Sequence, residues 1–588
     1  MAKEHGYIDS YYQATANVLP EQPELTSDIQ ADVCIIGAGL TGTNAAIELR
    51  KKGLSVVVLE GQRIAFGGSG RNGGQALVGY CLGLREVDEE YGPEWGKQLW
   101  DLSVESIDII RERISEFNID CDFQEGYIEL ALNKGQEKEL KSWHELKHGR
   151  YNYPVAQWWD TDKIEEVANT RRYLGGLFDP NSGHVHTLNY TLGLAQAAIS
   201  VGAEIYENSP VIKLEKGAGV NTVKTAKGSV KAKQVLLACN AYLDGLHRKA
   251  QSKVLPVASY IAVTEQLGDR QPITNKMAMS DLNNCLDYFR PTADGRILFG
   301  GVNHPFNGEY PDSQDRLRQR MLKVFPQLAD VKMEYHWGGL FAVTRSYMPE
   351  IRHLGNDIYT AHGYTGHGVG LTNIAGRVVA EAMAGQAGRF DVFSRIDHGW
   401  IPTPKVLRKP ALAMAIWKAR WKMLWRANLL SCIFLKRVAS AALFYWGSTF
   451  YPLRLGIVLK REEAMQGDLF EEHGWINIPD GLLYWQPNFI QQDEADKLFA
   501  LLSDSLPWQQ LPITMFGKEV LQPRMQAWFG EAYTYSGLAL TPAKMPPALV
   551  ALKERCEDVA GIAFNSVLAN LYRDGQDYMA GTKTMNLS

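Results

Sequence analysis

Residues 31–60, ADVCIIGAGLTGTNAAIELRKKGLSVVVLE, spell a strand, a glycine-rich turn, a helix and a second strand without interruption. No other stretch of the chain limits the possible folds as tightly. Val33 to Ile36 is a short apolar run, and Thr43 to Lys52 has helix-forming composition closed by Gly53. Ser55 to Leu59 is a second β-branched run, ending in Glu60. Gly37, Gly39 and Gly42 form GxGxxG between the first strand and the helix. Gly37 permits the tight turn, Gly39 lets backbone approach a pyrophosphate, and Gly42 lets helix and strand pack closely. The helix N-terminus then offers unpaired N–H groups and partial positive charge to the phosphates. Glu60 lies 23 residues after Gly37, where an acid accepts a ribose hydroxyl. A Gly-rich turn in an ordinary βαβ unit would explain the glycines alone, but not the terminal acid. The unit therefore predicts a dinucleotide site.

The loop that follows, GQRIAFGGSGRNGGQ, is built of small residues around Gly70, Arg71, Asn72, Gly73 and Gln75. Together with the preceding unit it resembles the D-amino-acid-oxidase-type FAD-dependent oxidoreductases, nearest the branch containing gamma-glutamylputrescine oxidoreductase. In that family the loop runs beside the isoalloxazine ring. The resemblance continues to about residue 397 through DSYYQATAN, GGLFDPNSGHVHTLNYTLGLAQAA, NSPVIKLEKG, YFRPTADGRILFGG and HWGGLFAVTRSYMP. In NSPVIKLEKG it implies a strand whose Val211 backbone meets the adenine. GYTGHGVGLTNIAGRVVAE resembles the closing flavin motif, with Gly366, His367, Gly368 and Gly370 in a tight turn before a helix. A helix N-terminus aimed at the flavin there would stabilise the negative charge of the reduced ring.

The resemblance implies oxidation of a carbon–nitrogen bond, with hydride passing to the flavin and the imine hydrolysed to a carbonyl. Three departures narrow it. The loop after the second strand has no His of the kind that attaches FAD covalently in some relatives. Gly339 stands where others carry an attaching Cys, so the FAD is expected to be non-covalent. Relatives acting on small α-amino acids grip the carboxylate with an Arg, and Phe341 stands at that position. Without a bidentate Arg a buried carboxylate loses much of its binding, which favours a polyamine-like or N-substituted amine. Arg290 and Arg345 are candidate anchors, or else surface or structural arginines. His184 and His186 alternate, so on a strand they share one face; they contact flavin or substrate, or form a structurally hydrogen-bonded pair. His367 lies inside the flavin turn, where its backbone or its imidazole acts.

Charge is unevenly distributed. The net charge of -5 argues against a protein that coats nucleic acid. Residues 398–461 nevertheless hold twelve Lys and Arg and no Asp or Glu, leaving -17 for the rest. Trp417, Trp421 and Trp425 form one stripe if helical, with Lys418, Lys422 and Arg426 beside it. Such a segment reads as a peripheral membrane contact or as a helix packed on the flavin domain. The relatives in the same branch commonly end in a basic, Trp-containing tail, which residues to about Trp425 resemble. No run reaches the length of a spanning helix, and no secretory signal opens the chain. Seven scattered cysteines without CxxC suit a reducing compartment. These features predict a cytoplasmic protein, with the inner face of a membrane as its one peripheral alternative.

From about Met465, MQGDLFEEHGW and LLYWQPNFIQQDEADKLFALLSDSLPWQQ resemble the start of an AlkB-type 2-oxoglutarate/iron(II) dioxygenase. PRMQAWFG, YTYSG and FNSVLANLYRDGQD continue it. The resemblance implies a 2-oxoglutarate contact by Asn570 and Tyr572, and a base pocket around Arg524, Trp528 and Tyr533. After His473 there is no His, so a 2-His-1-carboxylate triad cannot be assembled from this segment, and no metal site is expected. The segment reads as a degenerate appendage, or as a second reading frame fused and cut short.

The expected architecture is α/β and α+β: a Rossmann-type FAD-binding domain interleaved with a mixed-sheet substrate domain over 1–397. A basic Trp-rich tail and spacer over 398–464 and a partial double-stranded β-helix-like segment over 465–588 follow. The expected function is FAD-dependent amine oxidation with O2 or a quinone as acceptor. Nucleic-acid dealkylation, lacking metal ligands, and a non-catalytic membrane-associated flavoprotein are the competing readings.

Overall fold

The computed structural model describes residues 6–283, 286–304, 312–401, 441–447, 454–457, 474–478, 481–487, 490, 492–510, 512–515, 518–521, 525–530, 533–535, 538–540, 543–560, 563 and 566–571. Two compact units emerge, Met1–Ala427 and Asn428–Ser588.

In the first unit, strand Ile29–Ile36 is central to an eight-stranded sheet. It pairs in parallel with Val56–Leu59 on one side and Ser229–Leu237 on the other. Glu204–Tyr206 and Ile358–His362 extend the parallel array outward, and Glu350–Gly355 closes it antiparallel. Side chains of the central strand alternate between two cores, because successive residues point to opposite faces. Val33 and Ile35 join the core under the helices, whereas Cys34 and Ile36 join a smaller one on the other face. The strand starts four residues earlier than its apolar run, and the helix spans Leu40–Lys51, beginning directly after Gly39.

The second sheet of this unit has nine strands in mixed orientation. Its longest members, Val254–Thr264 and Met333–Thr344, pair antiparallel along nearly their full length. One face carries Ile261, Val263 and Trp337 into the core that also holds Val33 and Ile35. The other face packs Phe289 and Phe299 against Met321 and Val324 of helix Ser313–Val324.

Helices Leu40–Lys51, Pro93–Phe117 and Gly368–Met383 are tied by charge as well as by packing. Arg113, fully buried, pairs with Glu48, Glu112 and Glu116. Arg377 adds bonds to Glu48 at 2.8 Å and Glu112 at 2.8 Å. Asn44 Nδ2 donates to Asn373 Oδ1 at 2.9 Å, and Tyr190 OH donates to the same oxygen at 2.7 Å.

The second unit holds a six-stranded sheet in the order Gly474–Ile478, Gly481–Pro487, Ala441–Gly447, Arg454–Ile457, Ser566–Leu571, Met525–Phe529. Two of these strands come from the stretch expected to be spacer. Helices Gln492–Ser505 and Pro547–Ala560 contribute Leu502, Leu549 and Leu552 to a small core with Phe529 and Val567. The Trp417, Trp421 and Trp425 stripe, Arg524 and Tyr572 lie outside the described residues. Asn570 is placed in strand Ser566–Leu571. No described helix is long and apolar enough to cross a membrane.

Candidate active site

Each glycine of the first turn is demanded by its surroundings. Gly37 has φ +107°, and a Cβ there would lie 2.9 Å from the Ala238 carbonyl oxygen. A Cβ at Gly42 would lie 2.0 Å from the Gly37 carbonyl oxygen, so helix and strand meet at backbone contact. A Cβ at Gly39 would lie 2.6 Å from Ser69 Oγ, which accepts a bond from Leu40 N–H at 3.0 Å. The helix has no side-chain cap and no acid in its first turn. Its amide donors and dipole therefore face the loop around Ser69, an arrangement suited to phosphate oxygens. Glu60 accepts from Ala38 N–H at 2.9 Å and Gln62 N–H at 3.0 Å, which fixes its carboxylate at the turn. Burial holds its carboxyl above the usual range.

The second glycine turn mirrors the first. Strand Ile358–His362 runs through Gly363, with φ +74°, and Gly366, with φ +94°, into helix Gly368–Met383. His367 occupies the N-cap position without a side-chain cap bond, and the first helical turn has no acid. Its Nδ1 is buried and unpartnered, and burial lowers its pKa to about 4. A Cβ at Gly370 would lie 3.0 Å from the Leu77 carbonyl oxygen, whereas Gly366 faces open space. Thr365, a β-branched residue at φ +50°, is held there by three bonds, one of them from its Oγ1 to the Gly363 oxygen at 3.1 Å. Its N–H donates to the Ala342 oxygen at 3.1 Å, and its Oγ1 accepts from Thr344 N–H at 3.3 Å. It thus joins the closing turn to the substrate sheet.

Between the two turns runs the loop of Gly70–Gln75. Asn72 Nδ2 donates to the Gly68 oxygen at 2.9 Å and to Thr187 Oγ1 at 3.0 Å, and Asn72 Oδ1 accepts from Gly74 N–H at 2.7 Å. Arg71 Nε donates to the Phe66 oxygen at 2.7 Å, and burial lowers its pKa. Trp337 Nε1 donates to the Arg71 oxygen at 2.9 Å. Gln75 Nε2 donates to the Met279 oxygen at 3.0 Å, and the Tyr288 ring covers Gly73. A Cβ at Gly70 would lie 2.4 Å from the Ala65 oxygen. The loop is therefore fixed from the substrate sheet as well as from within.

Other predicted residues land differently. Val211 sits in the extended link between Glu204–Tyr206 and Lys213–Glu215 rather than on a strand. The preceding Pro210 brings that link beside Gly61. His184 and His186 do not share a strand face, because the strand ends at His184 and His186 caps helix Thr187–Ser200. His186 Nδ1 accepts from Asn189 N–H at 3.2 Å, so its proton is on Nε2, 2.9 Å from Thr15 Oγ1. His184 Nε2–H donates to the Lys276 oxygen at 2.8 Å, leaving Nδ1 buried and unpartnered. Burial first, and the Arg290 charge second, lower both pKa values, that of His186 to about 3. Arg290 is buried, while Arg345 is exposed and packs beside Gly399. Ser69, Thr187 and Thr365 escaped the sequence reading, since single hydroxyls carry no spacing signal.

The family model for FAD dependent oxidoreductases of the DAO type matches residues 32–382. The chain belongs to the DAO family of FAD-dependent oxidoreductases. Gamma-glutamylputrescine oxidoreductase of Escherichia coli is 39% identical over 415 residues, covering 69% of this chain and 96% of that protein. The Haemophilus influenzae protein named "Probable oxidoreductase OrdL" is 43% identical over 394 residues, covering 66% and 90%. Glycine oxidase from Geobacillus kaustophilus shares the fold, with a TM-score of 0.55 at 22% identity over 63% of this chain and 99% of that one. In the second unit, the alkB homolog 3 dioxygenase of Bos taurus is 40% identical over 93 residues, 16% of this chain and 32% of that protein. For this FAD-dependent oxidoreductase the cofactor fits what is built: two uncapped helix N-termini, an acid at the end of the second strand, and a glycine loop between them.

Proposed function

We propose that the chain oxidises an N-substituted amine, a polyamine derivative such as gamma-glutamylputrescine, at FAD held without a covalent bond. The observation that carries the substrate class is the seat of Phe341. It pairs in register with Val257 and packs with Leu255, Val257, Val343 and Ile401, an apolar cluster in which this position supplies no guanidinium to grip a small carboxylate. Similarity to gamma-glutamylputrescine oxidoreductase over almost its whole length supports the same class. Non-covalent attachment is supported by Gly339, where a Cβ would lie 3.0 Å from Arg71 Cβ and a longer side chain would displace that arginine.

FAD, when bound, supplies the two-electron acceptor for the C–N oxidation, and O2 or a quinone then takes up the electrons. The chain's own residues do the rest. Gly37, Gly39, Gly42 and the Leu40 helix hold the phosphates, Glu60 holds the ribose, and the link at Val211 covers the adenine. Gly70, Arg71, Asn72, Gly73 and Gln75 frame one edge of the ring system, and Gly366, His367, Gly368 and Gly370 frame another. His184, His186 and His367, their pKa values lowered by burial, are neutral at ordinary pH, so none donates a charge-assisted bond. Residues 1–397 carry this activity. The basic tail and spacer of 398–464 and the AlkB-like 465–588 are additions to it.

The test is Phe341→Arg. The variant is expected to lose at least tenfold in kcat/KM for gamma-glutamylputrescine, mostly through KM, while retaining flavin. Undiminished turnover of that amine would remove the basis for the substrate class.

A further inference from the structure

Among the described residues three arginines are buried, and two have carboxylate partners. Arg113 pairs with Glu48, Glu112 and Glu116, and Arg296 with Asp294 and Glu334. Arg290, on strand Tyr288–Pro291 and 3% exposed, has no described carboxylate within 4.0 Å. Its bonds all go to neutral oxygens. Nε donates to the Gly73 oxygen at 2.8 Å, and Nη1 to the Pro291 oxygen at 3.1 Å. Nη2 donates to Tyr12 OH at 3.0 Å and to the Val185 oxygen at 3.2 Å. The partly buried Asp122 carboxylate feels the Arg290 charge, but no hydrogen bond or described ion pair neutralises the guanidinium, and a buried charge bonded only to dipoles is costly.

The guanidinium lies directly behind the flavin loop. Gly74 has φ +82°, and a Cβ there would lie 2.2 Å from the Val185 oxygen and 3.0 Å from Arg290 Nη2. Only glycine admits the arginine at this distance. From Gly73 the bonding runs onward: Gly74 N–H to Asn72 Oδ1, then Asn72 Nδ2 to the Gly68 oxygen and Thr187 Oγ1. One buried cation therefore bonds the loop's backbone while no described carboxylate pairs with it within 4.0 Å.

We propose that Arg290 is a positioning residue that fixes the Gly73–Gly74 peptide against the flavin and balances the negative charge a flavin carries after two-electron reduction. Hydride loss from a neutral amine leaves a cationic iminium on the substrate and an anion on the ring, and Arg290 compensates the latter from behind the loop. The inference rests on FAD occupying the site described above, and not on which amine is oxidised.

The experiment uses the full-length flavoprotein with Arg290→Met and Arg290→Gln, both neutral, and Arg290→Lys, which keeps charge but loses the fork. Gln retains a donor for Gly73, so it carries the comparison should the Met variant not fold. Midpoint potential and FAD dissociation constant are read in each. The neutral variants are expected to lose at least tenfold in the equilibrium for flavin reduction, a shift of about 30 mV to lower potential. Lys is expected to stay within threefold of the parent in that equilibrium while binding FAD at least fivefold more weakly. Neutral variants with the parent potential, or a Lys variant shifted as far as Met, would overturn the proposal. A parent protein without FAD would instead overturn the cofactor placement on which it rests.

Discussion

At Gly37–Gly42 and again at Gly363–Gly370, a parallel strand turns through glycine into a helix whose N-terminus has no side-chain cap. The first turn needs glycine chiefly because other backbone occupies the space, at 2.0 Å for Gly42. The second needs it at Gly366 because of a positive φ in open space. A turn packed against its own strand is rigid, as the phosphate seat proposed for it requires. A turn with a strained Thr365 and an open Gly366 has the kind of strain that concentrates at functional sites, which agrees with the ring contact proposed for it. The two helices are bound together by Asn44–Asn373 and Glu48–Arg377, so neither turn is independent of the other.

The comparison can be broken at four points. Gly42→Ala forces a Cβ into the Gly37 carbonyl, and its only relief is separation of helix from strand. Overpacking costs about 1–3 kcal/mol and more where the contact is backbone. The expected outcome is loss of bound flavin with a large drop in melting temperature, read by absorbance and thermal unfolding.

Acid comes next. Burial lowers the pKa of His186 to about 3 and that of His398 to about 4, against about 6.5 in the unfolded chain. Below about pH 6.5 the unfolded chain binds protons that the fold refuses, so each histidine lowers stability by about 1.4 kcal/mol per pH unit until its folded pKa is reached. Asp281 works the other way. Burial and the Asp287 charge raise its pKa to about 7, so the fold keeps a proton that the unfolded chain loses above about 4. His184 and His367 act in the same sense as these histidines and Glu60 in the sense of Asp281, so the histidines prevail and stability falls as pH drops from about 6.5 to about 4. Denaturant melts across that range check the sign.

Arg377→Met removes one of the two arginine partners of Glu48 and Glu112 and loosens the link between the two turns at a half-buried site. A loss of about 2 kcal/mol is expected, between the values for exposed and buried pairs. The same melts measure it. The smallest effect is Gly366→Ala, which meets no atom and costs only the left-handed conformation, about 1 kcal/mol. It should fold normally and bind FAD more weakly, as a fluorescence titration would show. A weaker Gly42→Ala effect than this one would reverse the distinction between the turns.

The first turn was legible almost entirely, because spacing encodes it: glycines at fixed offsets, a helix, and an acid 23 residues on. The SGRNGGQ loop was legible as a motif but not in its supports. Nothing local predicts that Thr187, Arg290 and Met279 hold it, since each lies more than a hundred residues away and is brought near by the second sheet. His186 misled for a related reason. Alternation suggested a strand, whereas the chain turns at Val185 and the imidazole replaces the Ser, Thr, Asp or Asn expected at a helix cap. The strand at Val211 is implied by the resemblance alone, yet Pro210 removes a donor there and cross-strand bonding begins only at Ile212 N–H, which donates to the Lys224 oxygen at 2.9 Å.

An N-substituted amine, rather than a small α-amino acid, is the substrate proposed for this flavoprotein. The most direct measurement is anaerobic titration of the purified full-length protein with gamma-glutamylputrescine, sarcosine and D-alanine, following the flavin's visible absorbance. Bleaching by gamma-glutamylputrescine and not by the two amino acids is the predicted result. Bleaching by sarcosine or D-alanine, with gamma-glutamylputrescine inert, would contradict it.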